Sequence, residues 1–173
     1  MRTFIQFTSR NIAKSANYYL SFEIKGNMFA ANFPGIYGFT REYTYLPISG
    51  LAEHIPGVAL VHTNYIPIFD MSRKIGYPDA MYSGIEKLMI LETKVYDTKV
   101  RFAIPYDQLG DAFELSAKKF LPPPNIGSIF EKGYFKGMYM HENNVVYIIN
   151  VEKLIDIDDL IDLKIAPGRL AAR

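Results

Sequence analysis

Three histidines, His54, His62 and His141, are the residues that would first be asked to do chemistry, and they stand alone in sequence. No two are spaced i,i+4, and there is no Cys to join them. The spacing that puts zinc ligands on one helix face is therefore missing. Ser, His and Asp all occur, but without the Gly-x-Ser-x-Gly elbow that exposes a nucleophile. Neither a Gly-x-x-x-x-Gly-Lys phosphate loop nor a Gly-x-Gly-x-x-Gly turn is present. The densest acids are Asp156, Asp158, Asp159 and Asp162. Their spacing lacks the glycine and the closing glutamate of a calcium loop, so they read as the solvated face of a helix. These residues predict no catalytic group, no cofactor and no metal.

Composition narrows the field further. The chain has 173 residues, 49% hydrophobic and a net charge of +1. That is enough apolar material for a sizeable core, and it predicts no global pull toward nucleic acid. Thirteen Tyr and twelve Phe are many. The basic residues do not cluster on one strand, so stacking on single-stranded nucleic acid is disfavoured. Core and strand-pair roles suit most of the aromatics, and surplus exposed Tyr suit a protein interface. The absence of Cys excludes a disulfide framework and fits a cytosolic setting. Residues Met1 to Ala16 carry Arg2, Arg10 and Lys14 and no acid. They lack the apolar stretch of about 7–15 residues found in a signal peptide. They read as a short leading strand or a loosely held arm, with a solvated tail as the plainer alternative. No apolar run approaches the ~20 residues of a membrane span.

The elements that must position these side chains are mostly strands. Leu20, Phe22 and Ile24 alternate with Ser21 and Glu23, which predicts a strand with one wet face. Lys25-Gly26-Asn27 predicts a tight turn. Met28 to Gly38 returns, with Pro34-Gly35 forcing a bend. Phe39 to Leu46 reads as a third strand, and Pro47 to Pro56 as irregular chain. Gly57 to His62 and Asn64 to Asp70 predict two strands around a short break, with Pro67 at an edge or a bulge. Met71 to Ile75 predicts one helical turn, stopped by Gly76 and Pro78, with a loop from Tyr77 to Gly84. Lys87 to Glu92 and Val100 to Ile104 predict a pair turning near Asp97, followed by a short strand at Ala112 to Leu115. Pro122-Pro123-Pro124 cannot join a ladder. Tyr134 to His141 and Val145 to Ile149 flank Asn143-Asn144, a hairpin signal. Asn150 suits the cap of a last helix. There Leu154, Ile157 and Ile161 share a face, Asp156 is a point of interruption and Pro167-Gly168 is the stop. About ten strands without βαβ alternation predict a barrel or sandwich.

The order of several motifs adds a resemblance. They are Gly57 to Asp70 ending in Pro67-Ile68-Phe69-Asp70, then Phe120-Leu121-Pro122-Pro123-Pro124, then Gly133-Tyr134-Phe135-Lys136-Gly137, then Tyr147 to Ile155. Together they resemble the CheW-like family of bacterial chemotaxis coupling proteins. The likeness runs from Tyr19 through Asp70, from Asp107 to Pro124 and from Tyr134 to Ile155, roughly four fifths of the chain. The resemblance implies an all-β fold, mainly β with a short C-terminal helix, in which two small five-stranded β-barrels share one core. It implies an N-terminal arm over 1–17, a CheW-like domain over 18–155 and a C-terminal helix and tail over 156–173. It also implies a cytoplasmic, non-enzymatic adaptor. Its partners would be the regulatory domain of a CheA-type histidine kinase and the cytoplasmic tip of a chemoreceptor, with no nucleic acid and no membrane insertion. The contact surface would draw on Ile36, Gly38, Phe39, His62 and Tyr65.

Two positions depart from the family pattern. Where the family commonly has Asn-Leu-Arg-Gly, this chain has Leu60-Val61-His62-Thr63, and Gly38 stands where the family often has Glu. A guanidinium and a carboxylate make charge-assisted bonds across an interface. Gly38 makes none, and His62 makes them only when protonated. The partner surface is therefore expected to be apolar, anchored by Ile36, Phe39 and Tyr65, with Phe39→Ala weakening binding at unchanged fold. Two alternatives stand beside this reading: an adaptor of a pilus or twitching motility pathway, and a small β-barrel enzyme or ligand-binding protein.

Overall fold

The computed structural model describes residues 5–6, 17–75, 87–123, 133–156, 158–159 and 163. The described chain is mainly β, with thirteen strands and two four-residue helices. It divides into two compact units. The first holds Met1–Gln6, Tyr37–Pro105 and Ile155–Arg173, and the second holds Phe7–Ile36 and Tyr106–Leu154.

The second unit is a six-stranded sheet. Its strands are β2 (Tyr18–Ile24), β3 (Asn27–Asn32), β10 (Gln108–Glu114), β11 (Phe120–Leu121), β12 (Phe135–His141) and β13 (Asn144–Ile149), in the order β10-β2-β3-β13-β12-β11. The first hairpin lacks the wet face expected of β2, because Tyr19, Leu20, Ser21 and Phe22 are all buried. Leu20 pairs with Ala31 and Phe22 with Phe29, all of them buried. The turn between them places Lys25 at φ 49 and Gly26 at φ 77. It therefore falls one residue before the Gly-Asn pair expected to supply the positive φ. The later hairpin shifts the same way, turning at Glu142 and Asn143 (φ 46 and 66) with Asn144 already in β13. Aromatic rings fill the unit. Phe29 stacks on Phe22 and Phe135, and Phe113 stacks on Tyr139 with ring centroids 4.8 Å apart. Helix α2 (Val151–Leu154) closes the unit. Asn150 does not cap it through its side chain, contrary to expectation. Asn150 Oδ1 is buried without a hydrogen-bond partner among the described residues, while its backbone N–H donates to the Tyr134 carbonyl (2.7 Å) and its carbonyl accepts from Lys153 (2.9 Å).

The first unit is a seven-stranded sheet. Its strands are β1 (Ile5–Gln6), β4 (Ile36–Thr40), β5 (Thr44–Pro47), β6 (Gly57–Val61), β7 (Asn64–Ile68), β8 (Leu88–Val95) and β9 (Thr98–Pro105), in the order β1-β4-β8-β9-β7-β6-β5. The single strand expected over Phe39 to Leu46 is two strands, β4 and β5, at opposite sides of this sheet. The chain leaves β4 after Thr40, whose hydroxyl accepts from the Glu42 N–H at 3.1 Å, a local turn that competes with the ladder. Helix α1 (Met71–Lys74) follows β7. Ile66, Ile68, Leu88, Ile90, Val61, Ala59 and Ala103 form one buried cluster.

Pro67 is not at an edge or a bulge. It pairs with Val58 in the unbroken β6–β7 register, and β7 lies between β6 and β9. The ladder to β9 is recorded at Ile68 opposite Ala103, with the Phe69 N–H on the Ala103 carbonyl. It begins just after the proline, so the missing N–H interrupts nothing on that side. Of the leading arm, residues 5–6 are described as β1, which pairs with β4. The helix stop at Gly76 and Pro78, the loop over 77–84, Pro124, Ile157, Ile161, Asp162 and Pro167-Gly168 lie outside the described residues.

Candidate functional site

The five residues expected at the contact surface fall into two groups. Ile36, Gly38 and Phe39 lie on β4 and are buried, Ile36 at 3% exposure and Phe39 at 7%. In the sheet, Phe39 pairs with Ile5 and Gly38 with Gln6, so β1 covers the backbone of β4 on that side. Phe39 fills core, and the expectation that Phe39→Ala leaves the fold unchanged is corrected on that ground. His62 and Tyr65 are exposed, Tyr65 at 62%. Strands β8 and β9 separate β4 from β7 in sheet order, so the five side chains are not one exposed patch.

His62 and Thr63 form the two-residue turn between β6 and β7, with Val61 paired to Asn64 across it. His62 sits at φ 56. Few non-glycine residues take that conformation, and His is one of the types enriched there. Tyr65 pairs with Leu60, which in turn pairs with Thr44, and two residues along Pro67, Val58 and Leu46 make the next such row. Side chains two apart share a sheet face. Tyr65, Leu60, Val58 and Leu46 therefore lie on one face, exposed at Tyr65 and half-buried at the other three. No charged side chain stands in these two rows.

A second constellation, missed from sequence, lies within the first unit. Asp159, assigned above to a solvated helix face, is 2% exposed. His54 Nε2 lies 2.5 Å from its Oδ1, and Lys74 Nζ, itself buried, bonds its Oδ2. An ionised carboxylate only accepts, so Nε2 is the protonated nitrogen of His54. Asp156 completes the cluster. Its N–H donates to Asp159 Oδ2 at 3.1 Å, its Oδ1 accepts from the Asp159 N–H at 2.9 Å, and its Oδ2 is 3.5 Å from Lys74 Nζ. That reciprocal pairing is a capping box built from two aspartates three apart. Phe69 lines the cluster, its ring stacked on His54 at 5.8 Å with Lys74 Nζ 5.4 Å from the ring centre.

Asp70, the last residue of the Pro-Ile-x-Asp motif, places Lys74. Its side chain accepts from the Arg73 N–H at 3.2 Å as the cap of α1, and its backbone N–H donates to the His54 carbonyl at 2.8 Å. Burial pushes the Asp159 carboxyl up. The His54 bond, the Lys74 bond and charge, and the Asp156 N–H together outweigh burial and bring it from 3.8 to about 2. Both carboxylate oxygens are occupied by these donors, so the cluster holds chain segments together and offers no free base. The one sequence signal for it was the Asp-x-x-Asp spacing of 156 and 159.

His141 is not isolated in space. Its Nε2 is 3.3 Å from Asp111 Oδ2, and with Glu142 the three ligand atoms lie within 4.8 Å of one another. Asp111 and Glu142 are exposed, and exposed acidic groups commonly lie this close without an ion. Among the described residues no helix is long and apolar enough to cross a membrane.

Comparison with known proteins places this architecture. The model of the CheW-like domain matches residues 18–159. Among solved structures, the crystal structure of the scaffolding protein TtCheW from Thermoanaerobacter tengcongensis is similar, with a TM-score of 0.66 at 14% identity, covering 83% of this chain and 95% of that one. At that identity the likeness speaks for the fold. No curated protein matches the chain. The match over 18–159 spans most of the 173 residues, and with the two-sheet architecture it decides the family: the chain belongs to the CheW-like domain family.

Proposed function

We propose that the protein is a non-enzymatic adaptor that couples chemoreceptors to a CheA-type histidine kinase in a bacterial chemosensory pathway. The observation that carries this reading is the CheW-like match across residues 18–159. The partners are the kinase regulatory domain and the receptor's cytoplasmic tip, which puts the adaptor in the cytoplasm. Tyr65 and the half-buried Leu60, Val58 and Leu46 support the reading, because an exposed aromatic on an apolar face is the usual anchor of an interface. His62, at the tip of the same hairpin, occupies the position of the family's guanidinium. Ile36, Gly38 and Phe39, buried on β4, serve the adaptor by holding the sheet.

Titration calorimetry with the purified regulatory domain and a receptor fragment tests the proposal. Saturable binding to at least one of them is expected, with His62→Arg tightening binding to a partner that presents a carboxylate. Absence of heat with both partners, together with unaltered chemosensory behaviour in cells lacking the protein, would remove the coupling role.

A further inference from the structure

The β8–β9 hairpin ends in a two-residue turn, Tyr96-Asp97, closed by the Val95–Thr98 pair. Both turn residues are left-handed, at φ 47 and 63. Asparagine and glycine fill such a turn at least cost, and a bulky aromatic residue there carries strain. Tyr96 is also 71% exposed, the highest value among the exposed large apolar side chains of the described residues.

The pair behind the turn breaks a second local rule. Lys94 stands directly opposite Lys99, where like charges repel. The Glu92 carboxylate is already shared between Lys99 at 3.3 Å and Arg101 at 2.8 Å. Lys94 is exposed, and among the described residues no carboxylate lies within ion-pair reach of it. Asp97, exposed in the turn itself, makes no ion pair there either.

Topology sets this tip beside the one that carries His62. Strand β7 is the neighbour of β9 and runs parallel to it, so the turns leading into the two strands lie at the same end of the seven-stranded sheet. His62 too is left-handed, at φ 56. Local costs of this kind cluster at binding sites, where a contact outside the chain offsets them.

We propose that the β8–β9 tip docks on the regulatory domain of the kinase, with Tyr96 entering an apolar recess and Lys94 meeting a carboxylate at its rim. The inference rests on the coupling role proposed above and adds a second hairpin to the surface that contains His62. A two-residue tip is a convex knob and needs a hollow. A folded domain offers hollows between its elements, whereas a single helix presents a convex cylinder. An aromatic ring seated in a dry pocket is the usual strong contact of an interface. The charge-assisted bond gives Lys94 the anion that its own chain does not supply.

Titration calorimetry of the full chain with the purified regulatory domain, and separately with a receptor fragment, tests the tip. Tyr96→Gly removes the ring and suits the left-handed turn, so its melting temperature should match or exceed that of the native chain. Its affinity for the regulatory domain is expected to fall about tenfold. Lys94→Gln is expected to bind about threefold more weakly, with a smaller dependence on salt. Native affinity in Tyr96→Gly overturns the tip and leaves the coupling role standing. A lowered melting temperature that accompanies the loss of affinity assigns the ring to the fold and overturns it as well. Weakened binding to the receptor fragment alone overturns the choice of partner. Absence of binding by the native chain to either protein removes the tip and the coupling role together.

Discussion

Ile68→Ala is the sharpest test of how the first unit is held together. Ile68 is fully buried and sits in one sheet row between Gly57 on β6 and Ala103 on β9. It belongs to one buried cluster with Ile66, Leu88, Ile90, Val61 and Ala59. The substitution removes three carbons, a transfer loss of roughly 2.4 kcal/mol at about 0.8 per carbon. A cavity term follows, and here it stays large. The row neighbours, glycine and alanine, have no side chain long enough to swing into the space. An uncollapsed hole of about 60–80 Å³ adds roughly 1.5–2 kcal/mol. The expected cost is therefore about 4 kcal/mol, read as a shift of the urea midpoint at unchanged slope. Ile48→Ala, at a side chain 41% exposed, is the control and should cost under about 0.5 kcal/mol. A loss below ~0.5 kcal/mol for Ile68→Ala would show that β7 does not lie in the core as described.

Three further outcomes are expected. Gly57→Ala would place a Cβ 2.3 Å from the Leu46 carbonyl oxygen and 2.9 Å from the Tyr45 ring, so the β5–β6 pair should open; about 1–3 kcal/mol lost in thermal melts and faster exchange in β5 would report it. Tyr65→Ala should weaken kinase or receptor binding by ~1–3 kcal/mol in calorimetry with an unshifted melting temperature, whereas Phe39→Ala should lower the melting temperature itself. The folded Asp159 carboxyl lies at about 2, below its ordinary 3.8, so its contribution is complete above that ordinary value and is lost as pH falls toward about 2. The stability gap between the native chain and Asp159→Asn should accordingly shrink by about 2 kcal/mol from about pH 5 to about pH 2 in urea melts, and a gap that stays constant would contradict the ion pairing.

Local pattern was enough for most of the strands. The alternation of Leu20, Phe22 and Ile24, and the apolar runs on either side of His62 and Thr63, encode strand and turn within a few residues, and β2, β6 and β7 form where that pattern lies. The mainly-β class and the family likeness follow from the same local signals taken in order. Which strands become neighbours was not legible. Phe39 to Leu46 reads as one strand, but pairing partners on opposite sides of the sheet divide it into β4 and β5. Burial, too, is a property of the assembled unit. Phe39 looks like an available aromatic until β1 lies beside it, and Tyr65 is exposed while Pro67, two residues along the same face, is buried. Asp159 is the clearest case. Its sequence neighbours Asp156 and Asp158 are exposed acids, and only the folding of residues 54, 74 and 159 into one place makes it a buried carboxylate held by Lys74 and His54. Sequence determines short-range backbone preference through sterics and apolar period. Contacts between residues 85 or 105 positions apart leave no local trace, because they are selected by the free energy of the whole packed unit.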